Sequence, residues 1–304
     1  MTEEQFADLP NAIRLCFRDL PATGGDAAQT DPILMVIGLS FQLIHWPEPL
    51  LDALRAGGHR VIVFDNRDSG KSTFPKGPIP GLLQRMKREA PEGSYDLGDM
   101  AKDSVLLLDH LAIPQAHVVG MSMGGMIAQV MAARHPDRVS SLTSVFSNTG
   151  ARKTGQPGLR MTLQLSRKPA KTREEFVERA VQTNGIIGGS GYSHKPQDLR
   201  TTFGTAWDRA GRKMHAGVGR QLGAIFASGD RTMELSRVKA PTLVLHGHRD
   251  PLVHPSGGTA TAKAISGARH VTVDGMGHDI PASLAPRLSE LILEHVRSAQ
   301  GVVA

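Results

Sequence analysis

The segment His117-Val118-Val119-Gly120-Met121-Ser122-Met123-Gly124-Gly125 constrains this chain more than any other. A short apolar run leads into Gly-x-Ser-x-Gly, and a helical run, Met126 to Ala133, leads out of it. In that setting the pattern describes a serine at the apex of a very tight strand-to-helix turn. Residues two before and two after such a serine approach too closely for side chains, and Gly120 and Gly124 meet that need. The hydroxyl then projects from the carboxyl edge of a sheet, over a helix N-terminus that favours negative charge. The chain is therefore expected to be an α/β protein.

The rest of the sequence has the matching rhythm. Ile33–Ile37, Arg60–Phe64, Ala116–Val119, Ser141–Phe146, Thr242–His246 and His270–Val273 are short and rich in Val, Ile and Leu. Apolar residues at consecutive positions suit strands buried on both faces of a parallel sheet. Helical stretches lie between them: Pro47 to Ala56, stopped by Gly57-Gly58; Asp99 to Leu111, stopped before Pro114; and Leu284 to Val296. The residues before Ile33 read as one or two antiparallel edge strands (Ala12–Phe17). This order predicts a doubly wound, mostly parallel sheet with helices on both faces. The rhythm breaks between about Asn148 and Arg231. There Thr172 and Glu175 form a capping-box signature, followed by Gly-rich breaks and helical stretches near Gln197–Ala210 and Arg220–Ala227. The expected organisation is a core of residues 1–148 and 232–304 with a helical cap, 149–231, inserted between two strands. Phe74 to Tyr95 reads as a long surface loop with a basic turn of helix at Leu82–Ala90.

Composition narrows the function classes. One cysteine, Cys16, excludes an intramolecular disulfide and any multi-thiolate metal site. No apolar run approaches a membrane span, and the acidic start MTEEQFADLP has no signal-like apolar region, so a cytoplasmic location is the default expectation. The formal net charge of +6 is regional: residues 151–232 hold fifteen Lys/Arg against six Asp/Glu. These charges alternate with Leu, Val, Phe and Ala, as solvated faces of amphipathic helices do. Aromatics make up only 4 % of the chain, and no nucleic-acid motif accompanies the basic residues.

A serine hydroxyl is a weak nucleophile and needs a base, itself oriented by a carboxylate. Among 13 histidines, His278 is singled out by its place in Asp274-Gly275-Met276-Gly277-His278, a loop following the strand Val271–Val273. Asp250 closes the strand-and-loop stretch Leu243 to Pro251 at the same sheet edge. Asp274 and Asp279 stand too close to His278 in sequence to reach its far nitrogen, and the loop after Ser141–Phe146 offers Asn148 in place of a carboxylate. The expected catalytic set is Ser122, Asp250 and His278. His246, His248 and His254 invite a metal reading, but nothing completes a ligand set. No metal or cofactor is implied.

With these residues in view, the chain resembles the α/β-hydrolase fold superfamily over nearly its whole length. The resemblance is carried by Val36-Ile37-Gly38-Leu39 with Trp46-Pro47, by Asp65-Asn66-Arg67-Asp68-Ser69-Gly70-Lys71-Ser72, by Gly120–Gly125, by Pro241–Pro251 and by Gly275–Pro281. The order Ser, Asp, His along the chain is that superfamily's. Within it the sequence is most similar to the aclacinomycin methylesterase-like branch. It departs from that branch in having Gly38-Leu39 where two glycines are usual. The resemblance implies an oxyanion hole formed by the backbone N–H groups of Leu39 and Met123. It also implies a structural role for the Asp65–Ser72 loop, with Asp65 and Arg67 tying loops together.

The function expected from all this is hydrolysis of carboxylic esters of small to medium acyl or methyl type through an acyl-enzyme. C–C bond hydrolysis, lactone hydrolysis and acyl transfer could use the same three groups, and a non-catalytic ligand receptor is the remote alternative. The serine at 122 excludes chemistry that needs an aspartate nucleophile there. Met121, Met123, Leu252 and Ile280 are expected to give an apolar pocket, with a small-molecule ester as partner and either a monomer or a homodimer as the assembly.

Overall fold

The computed structural model describes residues 3–24, 30–158, 161 and 169–300. Residues 159–160 and 162–168 of the expected cap lie outside this set. Eight strands form one sheet: β1 (Gln5–Asp8), β2 (Arg14–Leu20), β3 (Ile33–Val36), β4 (Val61–Phe64), β5 (Ala116–Met121), β6 (Val139–Val145), β7 (Thr242–Gly247) and β8 (Arg269–Val273). Their order is β1-β2-β4-β3-β5-β6-β7-β8. The first two pairings are antiparallel and all others parallel. The N-terminal region thus supplies two antiparallel strands at the sheet edge, within the one or two expected there.

Every residue of β3, β4, β5 and β7 is buried, which is why these runs are apolar without alternation. Successive residues feed opposite faces. Leu34, Val36 and Val118 pack beneath α3 (Leu97–His110) and α4 (Met123–Arg134). Ile33, Met35 and Val119 pack beneath α1 (Glu48–Ala56) and the C-terminal helix (Ala285–Gln300). Local chemistry sets the helix ends. Pro47 precedes α1, and the Asp96 carboxylate accepts from Asp99 N at 2.9 Å to cap α3.

Between β6 and β7 the described residues hold no strand. They form α5 (Arg173–Ile187), α6 (Pro196–Ala210), α7 (Lys213–Ser228) and a short α8 (Thr232–Leu235). The Thr172 hydroxyl accepts from Glu175 N at 3.2 Å, so the capping signature marks the true start of α5. Helix α7 starts at Lys213, well before the expected Arg220. Its glycines serve as contact points: a side chain at Gly217 would lie 2.2 Å from the Asp68 carbonyl oxygen. The chain closes with α9 (Ser256–Ala264), β8 and α10, the C-terminal helix already placed. No helix among the described residues is long and apolar enough to cross a membrane.

The basic residues of this helical segment are not all on solvated faces, which corrects the expectation from sequence. Arg173 is exposed and Arg200 half-exposed, and they are paired with Asp208 and Glu178. The side chains of Arg209 and Arg220, by contrast, are largely covered against the loop after β4. Arg209 Nη2 lies 2.8 Å from Asp65 Oδ2, and Arg220 Nε lies 3.0 Å from Asp68 Oδ2. Arg231, 2 % exposed, donates to the Asn148 carbonyl at 2.9 Å. The patterning looked amphipathic because the partners of these arginines are remote in sequence.

Candidate active site

Strand β5 runs straight into α4 through Ser122, whose backbone is held at φ 54° and ψ −120°. Non-glycine residues avoid this region, so surrounding contacts must impose it. Ser122 N donates to Val145 O at 2.9 Å, and Ser147 Oγ donates to Ser122 O at 2.8 Å. The turn is too tight for side chains on either flank. A Cβ on Gly120 would lie 2.2 Å from Gly124 O, and one on Gly124 would lie 2.1 Å from Val36 O.

His278 stands on the loop after β8 and Asp250 on the loop after β7, and both side chains are buried. His278 Nε2 lies 2.9 Å from Ser122 Oγ, and His278 Nδ1 lies 2.6 Å from Asp250 Oδ2. Asp250 Oδ1 accepts from the N–H groups of Leu252 and Val253, each at 2.9 Å. Burial alone would raise the Asp250 carboxyl. The charge of His278, hydrogen bonds from His246 and His278 and the Val253 N–H outweigh burial and bring it down to about 2. The carboxylate is therefore ionised at neutral pH and takes the Nδ1 proton in a hydrogen bond. This leaves Nε2 free to accept from the serine hydroxyl.

Further residues outside the expected catalytic set support this line. His246, fully buried, places Nε2 at 2.8 Å from Val253 O and 3.4 Å from Asp250 Oδ2, the oxygen that also holds His278. Both neighbours are acceptors, so Nε2 carries the proton and steadies the acid; it is a positioning residue and not part of a metal site. Its signal was present in His246-Gly247-His248-Arg249-Asp250, where it sits four residues before the acid. The Phe146 ring lies 4.4 Å from the His278 ring, between centroids. From the other side, Ile187 at the end of α5 accepts from His278 N at 2.8 Å, and Gly191 N donates to Gly275 O at 3.0 Å. The helical segment thus braces the loop that carries the imidazole.

The backbone group at 123 follows the serine directly. Met123 is the first residue of α4, so its N–H has no acceptor within the helix. A side chain on Gly38 would lie 3.3 Å from Ser122 Cβ, so the loop after β3 passes beside the serine. Asn66 Nδ2 holds the same loop by donating to Ile37 O at 2.9 Å. Asp279 does not approach His278 Nδ1; its carboxylate meets His194 Nε2 at 3.3 Å. Among the described residues no cluster of three or more His, Cys, Asp or Glu could hold a metal ion.

A cavity of about 360 Å³ lies beside this centre, lined by Met121, Phe146 and Ile280. Its outer walls come from the 41–46 segment (Phe41, Trp46) and from α6 (Leu199, Phe203). The expected apolar pocket is corrected in two places. Met123 is 1 % exposed and packs into the core under α4, and Leu252 does not line this cavity. The pocket is aromatic more than methionine-lined, and Phe41 stacks on His45 at 4.5 Å.

Comparison with known proteins adds the relationships. A family model described as alpha/beta hydrolase fold matches residues 31–282. Rhodomycin D methylesterase DnrP of Streptomyces peucetius is 30 % identical over 297 residues, covering 90 % of this chain and 93 % of that protein. The putative carbamate hydrolase RutD of Variovorax paradoxus (strain S110) is 28 % identical, covering 83 % of this chain and 85 % of its own. The enol-lactonase of Burkholderia xenovorans LB400 superposes with a TM-score of 0.72 at 24 % identity, over 96 % of this chain and 100 % of its own.

Proposed function

Because this chain belongs to the alpha/beta hydrolase fold family and is an ester hydrolase, we propose that it cleaves carboxylic esters of small to medium acyl or methyl type, with Ser122 as nucleophile. The observation that carries the reading is the single imidazole bridging a strained serine hydroxyl at 2.9 Å and a buried carboxylate at 2.6 Å.

Ser122 Oγ attacks the ester carbonyl carbon while His278 Nε2 takes its proton. The negative charge that forms on the carbonyl oxygen is met by the N–H groups of Leu39 and Met123 and by the N-terminal end of α4. Collapse of this intermediate breaks the ester C–O bond. The alcohol leaves with the proton held by His278, and the acyl group stays on Ser122. Water then gives its proton to His278 and attacks the acyl carbon, which releases the acid and restores the serine. Asp250 stays ionised throughout and holds the imidazole in the tautomer that accepts from Ser122. Residues 149–231 act as a cap over the 1–148 and 232–304 core, and the aromatic wall they share with the 41–46 segment receives the apolar body of the ester. The likeness to a methylesterase along nine-tenths of the chain supports a small alcohol as leaving group.

A panel of p-nitrophenyl and methyl esters tests this reading. Ser122→Ala should abolish turnover while the thermal unfolding temperature stays near wild type. Hydrolysis that survives in Ser122→Ala, or binding without turnover in the wild type, would overturn it.

A further inference from the structure

Large apolar side chains are exposed at only six places among the described residues, and four of them fall within eight positions: Ile79 at 41 %, Leu82 at 77 %, Leu83 at 62 % and Met86 at 75 %. The last three stand on α2 (Leu82–Lys87), a helix that buries none of its own residues. The stretch before it is fixed to the body of the protein. A side chain at Gly219 of α7 would lie 2.5 Å from Ile79, and one at Gly223 would lie 3.4 Å from the Pro80 ring. Gly81 N donates to Gln84 Oε1 at 2.9 Å, and Arg85 Nε donates to Pro80 O at 2.9 Å. Helix α2 is thus an ordered apolar projection with a rigid base. Clustered exposed apolar surface of this kind marks an interaction site.

The charges around it are distinctive. Lys76, Arg85, Lys87 and Arg88 lie on this segment, with Glu89 and Glu92 as its carboxylates. The turn at 151–156 adds Arg152 and Lys153: Arg152 Nη2 donates to Lys87 O at 3.4 Å, and Arg88 Nη1 donates to Gln156 Oε1 at 2.5 Å. Most arginines elsewhere in the described residues are ion-paired. None of these six cations is. Arg88, Arg152 and Lys153 instead line a common cavity whose one carboxylate, Asp230, is already held by Thr232 N and Oγ1. Apolar side chains raised on a short helix and ringed by unpaired cations match the chemistry of an anionic lipid surface, with phosphate head groups over acyl chains.

We propose that α2 and the surrounding basic residues dock this protein on anionic lipid membranes, with Leu82, Leu83 and Met86 entering the acyl boundary and Arg85, Lys87, Arg88, Arg152 and Lys153 meeting head-group phosphates. The inference stands apart from the catalytic reading, because none of these residues lies in the reaction centre.

Vesicle co-sedimentation tests it with the full-length protein. Wild type should partition at least tenfold better onto phosphatidylcholine vesicles carrying about a quarter phosphatidylglycerol than onto pure phosphatidylcholine, since each basic residue near an anionic surface contributes roughly fivefold. The preference should collapse in about 0.5 M NaCl, where screening shortens to a few ångströms. The triple variant Leu82→Ser, Leu83→Ser, Met86→Ser should lose at least tenfold of the binding, and Arg85→Glu with Lys87→Glu should abolish the lipid-charge preference. Thermal unfolding near the wild-type temperature shows that the variants are folded, independent of any activity. Absence of vesicle binding by wild type, equal binding to both vesicle types, or unchanged binding by the triple variant would overturn the proposal. So would a wild-type dimer in light scattering that the triple variant converts to monomer, because a second copy would then cover this face.

Discussion

Replacing Arg209 with methionine should remove a buried tie between the helical segment and the sheet. The Arg209 side chain is 6 % exposed and that of Asp65 is 0 %. Nη2 reaches Asp65 Oδ2 at 2.8 Å and Nη1 reaches Oδ1 at 3.3 Å. At an effective dielectric of about 20, one such pair has a gross attraction of about 6 kcal/mol. Removing only the cation leaves a buried carboxylate with two backbone donors, Leu43 N at 2.7 Å and Lys71 N at 3.0 Å. Breaking one side of a buried pair costs about 3–5 kcal/mol. Urea unfolding should therefore show Arg209→Met destabilised by that amount. Adding Asp65→Asn should recover part of the loss, because the amide removes the uncompensated charge. Function should report the same event. Arg209 Nη1 also donates to Gln42 Oε1 at 2.6 Å, and Gln42 Nε2 donates to Ala206 O at 2.8 Å, which fixes the 41–46 segment that walls the cavity. KM for a soluble ester should rise more than kcat falls. A variant within about 1 kcal/mol of wild type would refute the argument, since it would mean Asp65 finds water or another donor when its arginine is gone.

Asp250→Asn should lower kcat by about 10⁴, the loss known from the serine-protease triad when the imidazole takes the wrong tautomer, with little change in KM; a rate within tenfold of wild type would assign the acid elsewhere. His246→Leu should lower kcat about ten- to hundredfold at unchanged KM, matching one hydrogen bond to a charged group, about 1.5–3 kcal/mol. His246→Gln, which keeps an N–H, should recover much of it in the same assay. Acid stability should be governed partly by His117, which burial, the first cause, together with the neighbouring His59 and His295 holds down at about 4 against the raising effect of Asp31. The unfolded chain takes up this proton near 6.5 and the folded chain only near 4, so the stabilisation is intact above 6.5 and is lost as pH falls toward 4, about 3 kcal/mol in all. His117→Gln should flatten that part of the stability profile, read by denaturant unfolding at a series of pH values.

The parts of the molecule legible in the sequence are those decided by local sterics. Gly120 and Gly124 announce the serine turn because two backbones pass at contact distance, and no side chain could be accommodated there. The runs VIVF and AHVVGM announce buried parallel strands because both faces are covered. What the sequence concealed depends on residues far apart. Strand β1 shows the burial pattern of an edge, with only Ala7 inside, so its pairing with β2 has no strong local signature. The early start of α7 is concealed by its glycines, of which Gly217 packs on Asp68 and Gly219 and Gly223 on Ile79 and Pro80. His246 looked like an orphan metal ligand because its true partner, Asp250, is itself part of the candidate site.

The misread arginines bear on how the site is assembled. The loop after β4 carries Asp65, Asn66, Arg67 and Asp68, and each ties a different piece of the chain. Asp65 holds Leu43 N and Arg209, Asn66 holds the Ile37 carbonyl beside the Gly38–Leu39 peptide, Arg67 is paired with Asp103 on α3 at 2.6 Å, and Asp68 takes Arg220 and the Tyr95 hydroxyl. Docking of the helical segment and placement of the Leu39 N–H therefore share one hub. Two of the cations in residues 151–232, Arg209 and Arg220, have a structural reason in this hub: buried carboxylates on the sheet side need guanidinium partners, and helices arriving from a distant part of the sequence bring them. An arginine here is at once a charge partner and a clamp. Its loss would be felt as a shift of the cavity wall before the serine, imidazole and carboxylate moved apart.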